Sequence, residues 1–204
     1  NTIDVTLGRL GIDGAIGGET TIGTYGILGG NGTLTGQIAS AGTIAPGHSI
    51  GHLTIDGDLV QAADGTLEIE VGDGEADQLS VTGTAYLAGT LLVLPEGYTT
   101  GGSYTFVDAN SIDGSFDTID SAAVLGAALS DTSTSQSLTL DVTRDSYTSL
   151  ATCHNLGLAK TLDDVRATAQ DDFGDLLDSL DQAMTTSQLN ASLAELTPRI
   201  HGLA

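Results

Sequence analysis

Between Gly30 and Leu59 short runs of apolar residues and threonine alternate with Gly, Asn, Asp and Ser. The apolar side chains recur in small sets: Leu34 and Ile38, then Ile44, then Ile50, Leu53, Ile55 and Leu59. Side chains two apart share one face of a strand, so Leu53 and Ile55 point one way while Thr54 and Asp56 point the other. The Gly-rich corners at Gly17-Gly18, Gly29-Gly30, Gly32, Gly36, Gly47 and Gly51 fall roughly 6–10 residues apart, which predicts two or three short strands per winding of about 20 residues. Windings of that kind stack, and each backbone N–H and C=O then finds a partner in the next one.

From residue 61 to 145 the strands lengthen. Thr66–Val71 alternates cleanly, with Leu67, Ile69 and Val71 predicted inward. The acidic turn Gly72–Asp77 follows, then Leu79–Gly83, Thr90–Pro95, Ser103–Val107 and Ser137–Thr143. The inward set is expected to hold Leu34, Ile44, Ile50, Leu53, Ile55, Leu59, Leu67, Ile69, Val71, Leu79, Val81, Leu91 and Val93. Tyr86, Tyr98, Tyr104, Phe106 and Phe116 concentrate in this half. Larger side chains suit a terminal cap, which must cover the last winding's apolar face.

After Tyr147 the period becomes helical. Leu156, Leu158, Leu162, Val165 and Ala169, then Phe173, Leu176, Leu177, Leu180 and Met184, predict amphipathic helices. Asp163, Asp164, Asp171, Asp172, Asp175 and Asp178 take the opposite face. A third stripe, Leu189, Leu193, Leu196, Ile200 and Leu203, predicts a helix capped by Thr186 or Ser187. Helices with one apolar stripe need a partner surface. This stripe is therefore an expected interface, either with a second copy of the chain or with residues 155–184.

The sequence resembles a known family. Gly42-Thr43-Ile44-Ala45-Pro46-Gly47-His48-Ser49-Ile50-Gly51-His52-Leu53 is similar to the C-terminal end of the secreted passenger of bacterial autotransporters, the type V secretion proteins. His48 stands where that family commonly has Asn. The strands from Leu67 to Arg144 resemble the family's autochaperone, or stable core. Leu189–Pro198 resembles, more loosely, the helical linker ahead of its outer-membrane barrel. The likeness covers residues 28–145 well and 186–200 weakly, while residues 1–27 fit by composition alone. It implies a mainly β fold, a right-handed parallel β-helix (solenoid) with a short C-terminal α-helical segment. It divides the chain into β-helix coils over 1–59, an autochaperone-like cap over 60–145 and a helical linker over 146–204.

Composition narrows the function. Aromatic residues make up 4% of the chain and Trp is absent, which fits a narrow interior of stacked aliphatic side chains better than a rounded core. With 27 acidic residues against 5 basic and a net charge of −22, nucleic acid and anionic lipid surfaces are disfavoured as partners. Such acidity keeps a surface protein soluble. The one cysteine, Cys153, precludes an internal disulfide. The chain begins at Asn1 in mid-repeat with no signal peptide, so a longer precursor is expected.

Four groups of residues are candidates for chemistry. His48 and Ser49 are adjacent, but neighbouring strand residues point to opposite faces and no G-x-S-x-G elbow is present, so no catalytic residue is expected. Asp73, Glu75 and Asp77 could offer calcium some of the oxygens it needs, yet the EF-hand spacing is absent, so a solvated turn is expected there and no cofactor. Cys153-His154 lacks a second pair at metal spacing, leaving a buried thiol or an exposed intermolecular one. His52 and His201 are isolated.

The resemblance thus implies a non-enzymatic secreted stem at the cell surface, associated with the Gram-negative outer membrane. Its expected partner is its own outer-membrane β-barrel in the precursor, with a homo-oligomer as a further candidate; no strands of barrel type lie within the sequence. One alternative is a structural subunit of a surface layer or filament built from stacked β-helix fragments. A weaker one is a polysaccharide-active β-helix enzyme, which five basic residues serve poorly.

Overall fold

A computed structural model of the chain describes residues 1–196. The fold is mainly β, an open sheet of fifteen strands followed by four helices. In chain order the strands are β1 (Thr2–Gly11), β2 (Ala15–Gly17), β3 (Glu19–Gly30), β4 (Thr33–Thr35), β5 (Ile38–Ser40), β6 (Thr43–Pro46), β7 (His52–Asp56) and β8 (Leu59–Gln61). Then follow β9 (Thr66–Val71), β10 (Gln78–Leu87), β11 (Thr90–Pro95), β12 (Gly101–Gly114), β13 (Thr118–Ser121), β14 (Leu125–Leu129) and β15 (Ser137–Arg144).

Pairing is parallel from β1 to β13, and each strand meets one a single winding later. Thr2 lies beside Glu19, Thr33 beside Thr54, Gln78 beside His52, and Thr90 beside Thr118. The step therefore grows from 17 residues to 28 along the chain, around the 20 expected from the corners. The pairings form three runs: β2–β4–β7–β10–β12, β1–β3–β5–β8–β10–β12, and β1–β3–β6–β9–β11–β13. Strands β1, β3, β10 and β12 each take part in two runs; β1, β10 and β12 carry register shifts, at Val5/Leu7, Val81/Thr84 and Thr105/Val107. The last two strands depart from the parallel rule. β15 runs antiparallel to β12 on one side and to β14 on the other.

Same-type side chains stack through the windings. Inside, Leu28, Ile44, Leu67 and Leu91 occupy one column, and Leu34, Ile55 and Val81 another. All seven are buried. Outside, Thr43, Thr66, Thr90 and Thr118 stand in register, and the hydroxyls of Thr90 and Thr118 lie 3.0 Å apart. Of the expected inward set every member is buried except Ile50, which is half-buried in the turn between β6 and β7. Most corners leave no room for side chains. A Cβ at Gly42 would stand 2.2 Å from the Gly23 carbonyl oxygen. Gly30 combines a φ of 102° with the Ile12 carbonyl oxygen 2.3 Å from where its Cβ would be.

Large side chains gather toward the C-terminal windings. Phe106 and Phe116 pack with ring centroids 6.3 Å apart, and the Tyr104 hydroxyl donates to the Gly72 carbonyl. The boundary expected at residues 59 and 60 falls inside β8.

The helices are α1 (Tyr147–Leu150), α2 (Leu156–Arg166), α3 (Asp171–Asp181) and α4 (Thr186–Leu196). None of the described helices is long and apolar enough to cross a membrane. The cap of α4 is Thr185 rather than Thr186 or Ser187. Its hydroxyl accepts from Gln188 N–H while the Gln188 side chain accepts from Thr185 N–H, a reciprocal capping box. The buried faces share Leu162, Leu177 and Leu180 with the expected stripes and depart from them elsewhere. Ala159, Leu162 and Arg166 are buried on α2, and Leu177, Leu180 and Asp181 on α3, whereas Leu156, Phe173 and Leu176 are largely exposed.

Candidate functional site

The phrase from Gly42 to Leu53 builds β6, the turn after it and the start of β7. Gly30 and Gly47 exchange two backbone hydrogen bonds, at 3.1 and 3.0 Å. Arg9 donates to the Gly47 carbonyl at 2.7 Å, His52 N–H donates to Asn31 Oδ1, and Gly51 N–H donates to Asp77 Oδ1. Every contact here fastens one winding to another.

Among the described residues the hydrogen bond of the His48 side chain goes to Asp13, not to its neighbour Ser49. The His48 ring bonds Asp13 at 2.7 Å, on an exposed edge two windings away in sequence, and this bond holds the Asp13 carboxyl below its ordinary range. A Ser–His contact, His52 Nε2 to Ser80 Oγ at 2.7 Å, was not legible from the sequence. Pairing of β7 with β10 creates it. Ser80 is paired on both sides, with Thr54 of β7 and Asp108 of β12. Cys153 is exposed, its sulfur 3.5 Å from His154 Nδ1.

The acidic turn separates its three carboxylates. Asp73 and Glu75 are exposed, while Asp77 is buried. Both Asp77 oxygens are taken, one by Gly51 N–H at 2.7 Å and the other by Glu70 N–H at 2.8 Å. Among the described residues no three of His, Cys, Asp or Glu gather closely enough to hold a metal ion. Burial pushes the Asp77 carboxyl up to about 7, against the pull of its two N–H donors, and the Glu70 and Glu68 carboxylates add to the rise. Burial likewise raises Glu68 and Glu70, with Glu96 a further like charge beside Glu70.

A carboxyl raised on folding favours the native state below its unfolded value near 4, and that contribution is lost as pH climbs to 7. We therefore expect the urea midpoint to fall between pH 5 and 8. Asp77→Asn cannot accept both N–H groups and should cost about 1–2 kcal/mol at pH 5. The stability gap between wild type and variant should narrow toward pH 8. A gap that widens would contradict the assignment.

The densest polar cluster joins the helices to the end of the sheet. Asp181 is fully buried. It accepts from Arg144 Nη2 at 2.7 Å, from Arg166 Nε and Nη2 at 2.9 and 2.7 Å, and from the Tyr147 hydroxyl at 2.6 Å. Arg166 also bonds Asp178. The Tyr98 ring lies beneath both guanidiniums, with Arg144 at 5.0 Å and Arg166 at 5.3 Å from its centroid. Burial and the Asp181 charge raise the Tyr147 phenol, so it remains a donor at neutral pH. A shallow cleft of about 250 Å³ opens beside this cluster, lined by Tyr98, Thr100, Arg144, Asp145, Ser146, Asp163 and Arg166. Asp163 is itself occupied, capping α1 through the N–H groups of Tyr147 and Thr148.

The expected interface stripe is divided. Leu189 and Leu193 are buried within the single chain, and Leu196 is 37% exposed. Asn190 fastens α4 to the α1–α2 connection, accepting from Thr152 N–H and donating to the Leu150 carbonyl. Ile200 and Leu203 lie outside the described residues. No protein-family model matches the sequence, and comparison with curated proteins finds no significant match.

Proposed function

We propose that the chain is a non-enzymatic secreted stem, the C-terminal part of an autotransporter-type passenger wound as a right-handed parallel β-helix. The observation that carries this reading is the pairing itself. Strands β1–β13 pair in parallel with neighbours one winding on, and the stack ends in an antiparallel closure and docked helices. Right-handed winding is the preferred hand for parallel strands joined by crossovers. The phrase that resembles that family's bonds one winding to another at Gly47, Gly51 and His52, which supports a scaffold reading.

The mechanism is thermodynamic. In a precursor the C-terminal windings emerge at the surface first and fold there. Each later winding buries its aliphatic row on the one already formed, at about 25 cal/mol per Å² of apolar surface. The folded end biases the chain against sliding back, and folding propagates along the stack.

Placed ahead of an outer-membrane barrel, the chain should reach the cell surface and yield a protease-resistant fragment containing residues 66–121. Retention inside the cell, or complete digestion once displayed, would overturn the reading. The variant with Ala at both His48 and Ser49 should display equally well, and no hydrolase activity should depend on either residue.

A filament subunit is the second reading. It is favoured by β1, which pairs with β3 on one side only, and by the exposure of Leu7 at 81%. A chain that remains monomeric at physiological and high salt would exclude it.

A further inference from the structure

The helices touch the β stack through a narrow seam. Three hydrogen bonds between described residues cross it. Ala123 N–H donates to the Ala183 carbonyl at 2.6 Å, Gln182 Nε2 donates to the Pro95 carbonyl at 2.6 Å, and Arg144 donates to Asp181. Arg144 ends β15, the strand that closes the stack. Asp181 ends α3. Between them lie Ala122, Val124 and Leu125, buried in the same apolar cluster that Ala183 packs against. They connect β13 to β14, the two strands at the ends of the sheet's path.

The organisation of the seam is asymmetric. Inside the helical segment Asp181 keeps three donors from Arg166 and Tyr147, Asn190 and Asn155 tie α4 to α2, and Asp163 caps α1. The segment thus has its own polar framework. Across the seam one ion pair is made, and both of its side chains are withdrawn from water, 9% exposed for Arg144 and 0% for Asp181. The second nitrogen of the Arg144 guanidinium, Nη1, is buried with no hydrogen-bond partner. A buried pair of this kind adds little net stability but strongly specifies one geometry, because breaking it strands a charge.

We infer that α2–α4 form a latched cap on the C-terminal end of the β stack, with Arg144–Asp181 as the latch, and that the cap can leave as a folded unit. Its work is to cover the connection between two edge strands, which would otherwise offer unpaired backbone to another chain. The inference does not depend on the secretion reading, since it concerns only how this chain holds its own end.

Arg144→Met tests it in the full chain. The substitution cuts the latch and leaves Arg166, Tyr147 and Asp178 around Asp181. Amide exchange at Ala123 should quicken at least about tenfold, while exchange at Leu67 and Ile69 stays unchanged and helical circular dichroism is kept. Arg144→Lys, which keeps the charge without the planar fork, should fall between the two. Unchanged exchange at Ala123 would overturn the latch. Loss of helical signal would overturn the folded cap, and faster exchange at Leu67 in step with Ala123 would show that the end of the stack does not release by itself.

Discussion

A chain cut in the turn between β8 and β9 is expected to leave two fragments of opposite fate. Residues 66–196 should fold, and residues 1–65 should not. The C-terminal fragment keeps Tyr104, Phe106 and Phe116 in its core, the parallel pairings of β10 with β12 and of β9, β11 and β13, and the antiparallel closure by β14 and β15. Beyond the long pair β1 and β3, the N-terminal fragment has strands of only three to five residues, an edge at β1 with Leu7 exposed, and no aromatic side chain in its core. Solenoid windings take their stability from their neighbours, so the fragment that lacks a capped end is the weaker one. Within the larger fragment, Phe106→Ala should cost about 3–5 kcal/mol, because the ring is fully buried against Phe116. Far-ultraviolet circular dichroism and urea titration of both fragments decide the matter. A cooperatively folded N-terminal fragment would refute it.

The second large effect is expected at Leu193. Its side chain is fully buried, and Leu193→Asp would bury a carboxylate among apolar neighbours at a cost of several kcal/mol, on the order of 3–5. The helical segment should lose its packing, seen as lost helical signal and protease cleavage near Thr152 and Gln170. The β stack should keep its strand signal. Leu196→Asp, at a position already 37% exposed, should cost less than about 1 kcal/mol. The notable feature of this pair is the contrast between neighbours on one stripe. Equal effects at the two positions would mean that the stripe is covered by something other than this chain's own helices.

Alternation was the most legible signal. The bounds of β9 and β11 follow directly from it, because each has a partner on both sides and one face fully inside. The corners were legible as positions but not as consequences. The strand read as ending at Gly83 runs on to Leu87 in β10. Backbone pairing continues across a bend that a sequence pattern records as a break. The drift of the winding from 17 to 28 residues was hidden for a related reason, since turns of any length can join strands of fixed register. β14, with the sequence Leu-Gly-Ala-Ala-Leu, has little intrinsic strand preference and exists because β15 lies beside it.

The helical end was the least legible. A charged residue is assigned to the solvent by default, and Arg166 and Asp181 are buried with each other and with Arg144, Tyr147 and Asp178 as partners. Leu162, Leu177 and Leu180 are buried beside them, while Leu156, Phe173 and Leu176 are exposed. No pattern within one helix could report a partner fifteen residues away on another. Asp77 was found as an acid in a turn, but its inward direction comes from the N–H groups of Gly51 and Glu70, one of them across a winding. The phrase from Gly42 to Leu53 was found early, and its hydrogen bonds explain its composition. Glycines, Pro46 and Ser49 make a tight passage between two windings, and the histidines bond outward to Asp13 and Ser80.

The central claim is that folding starts at the C-terminal windings and spreads toward the N-terminus. Pulse-labelled hydrogen exchange during refolding from urea reads this order directly. Amides of β9, β11 and β12 are predicted to gain protection first, followed by those of β5–β8 and last by those of β1 and β3. Protection that begins in β1–β6, or that rises at one rate throughout the stack, would contradict the account.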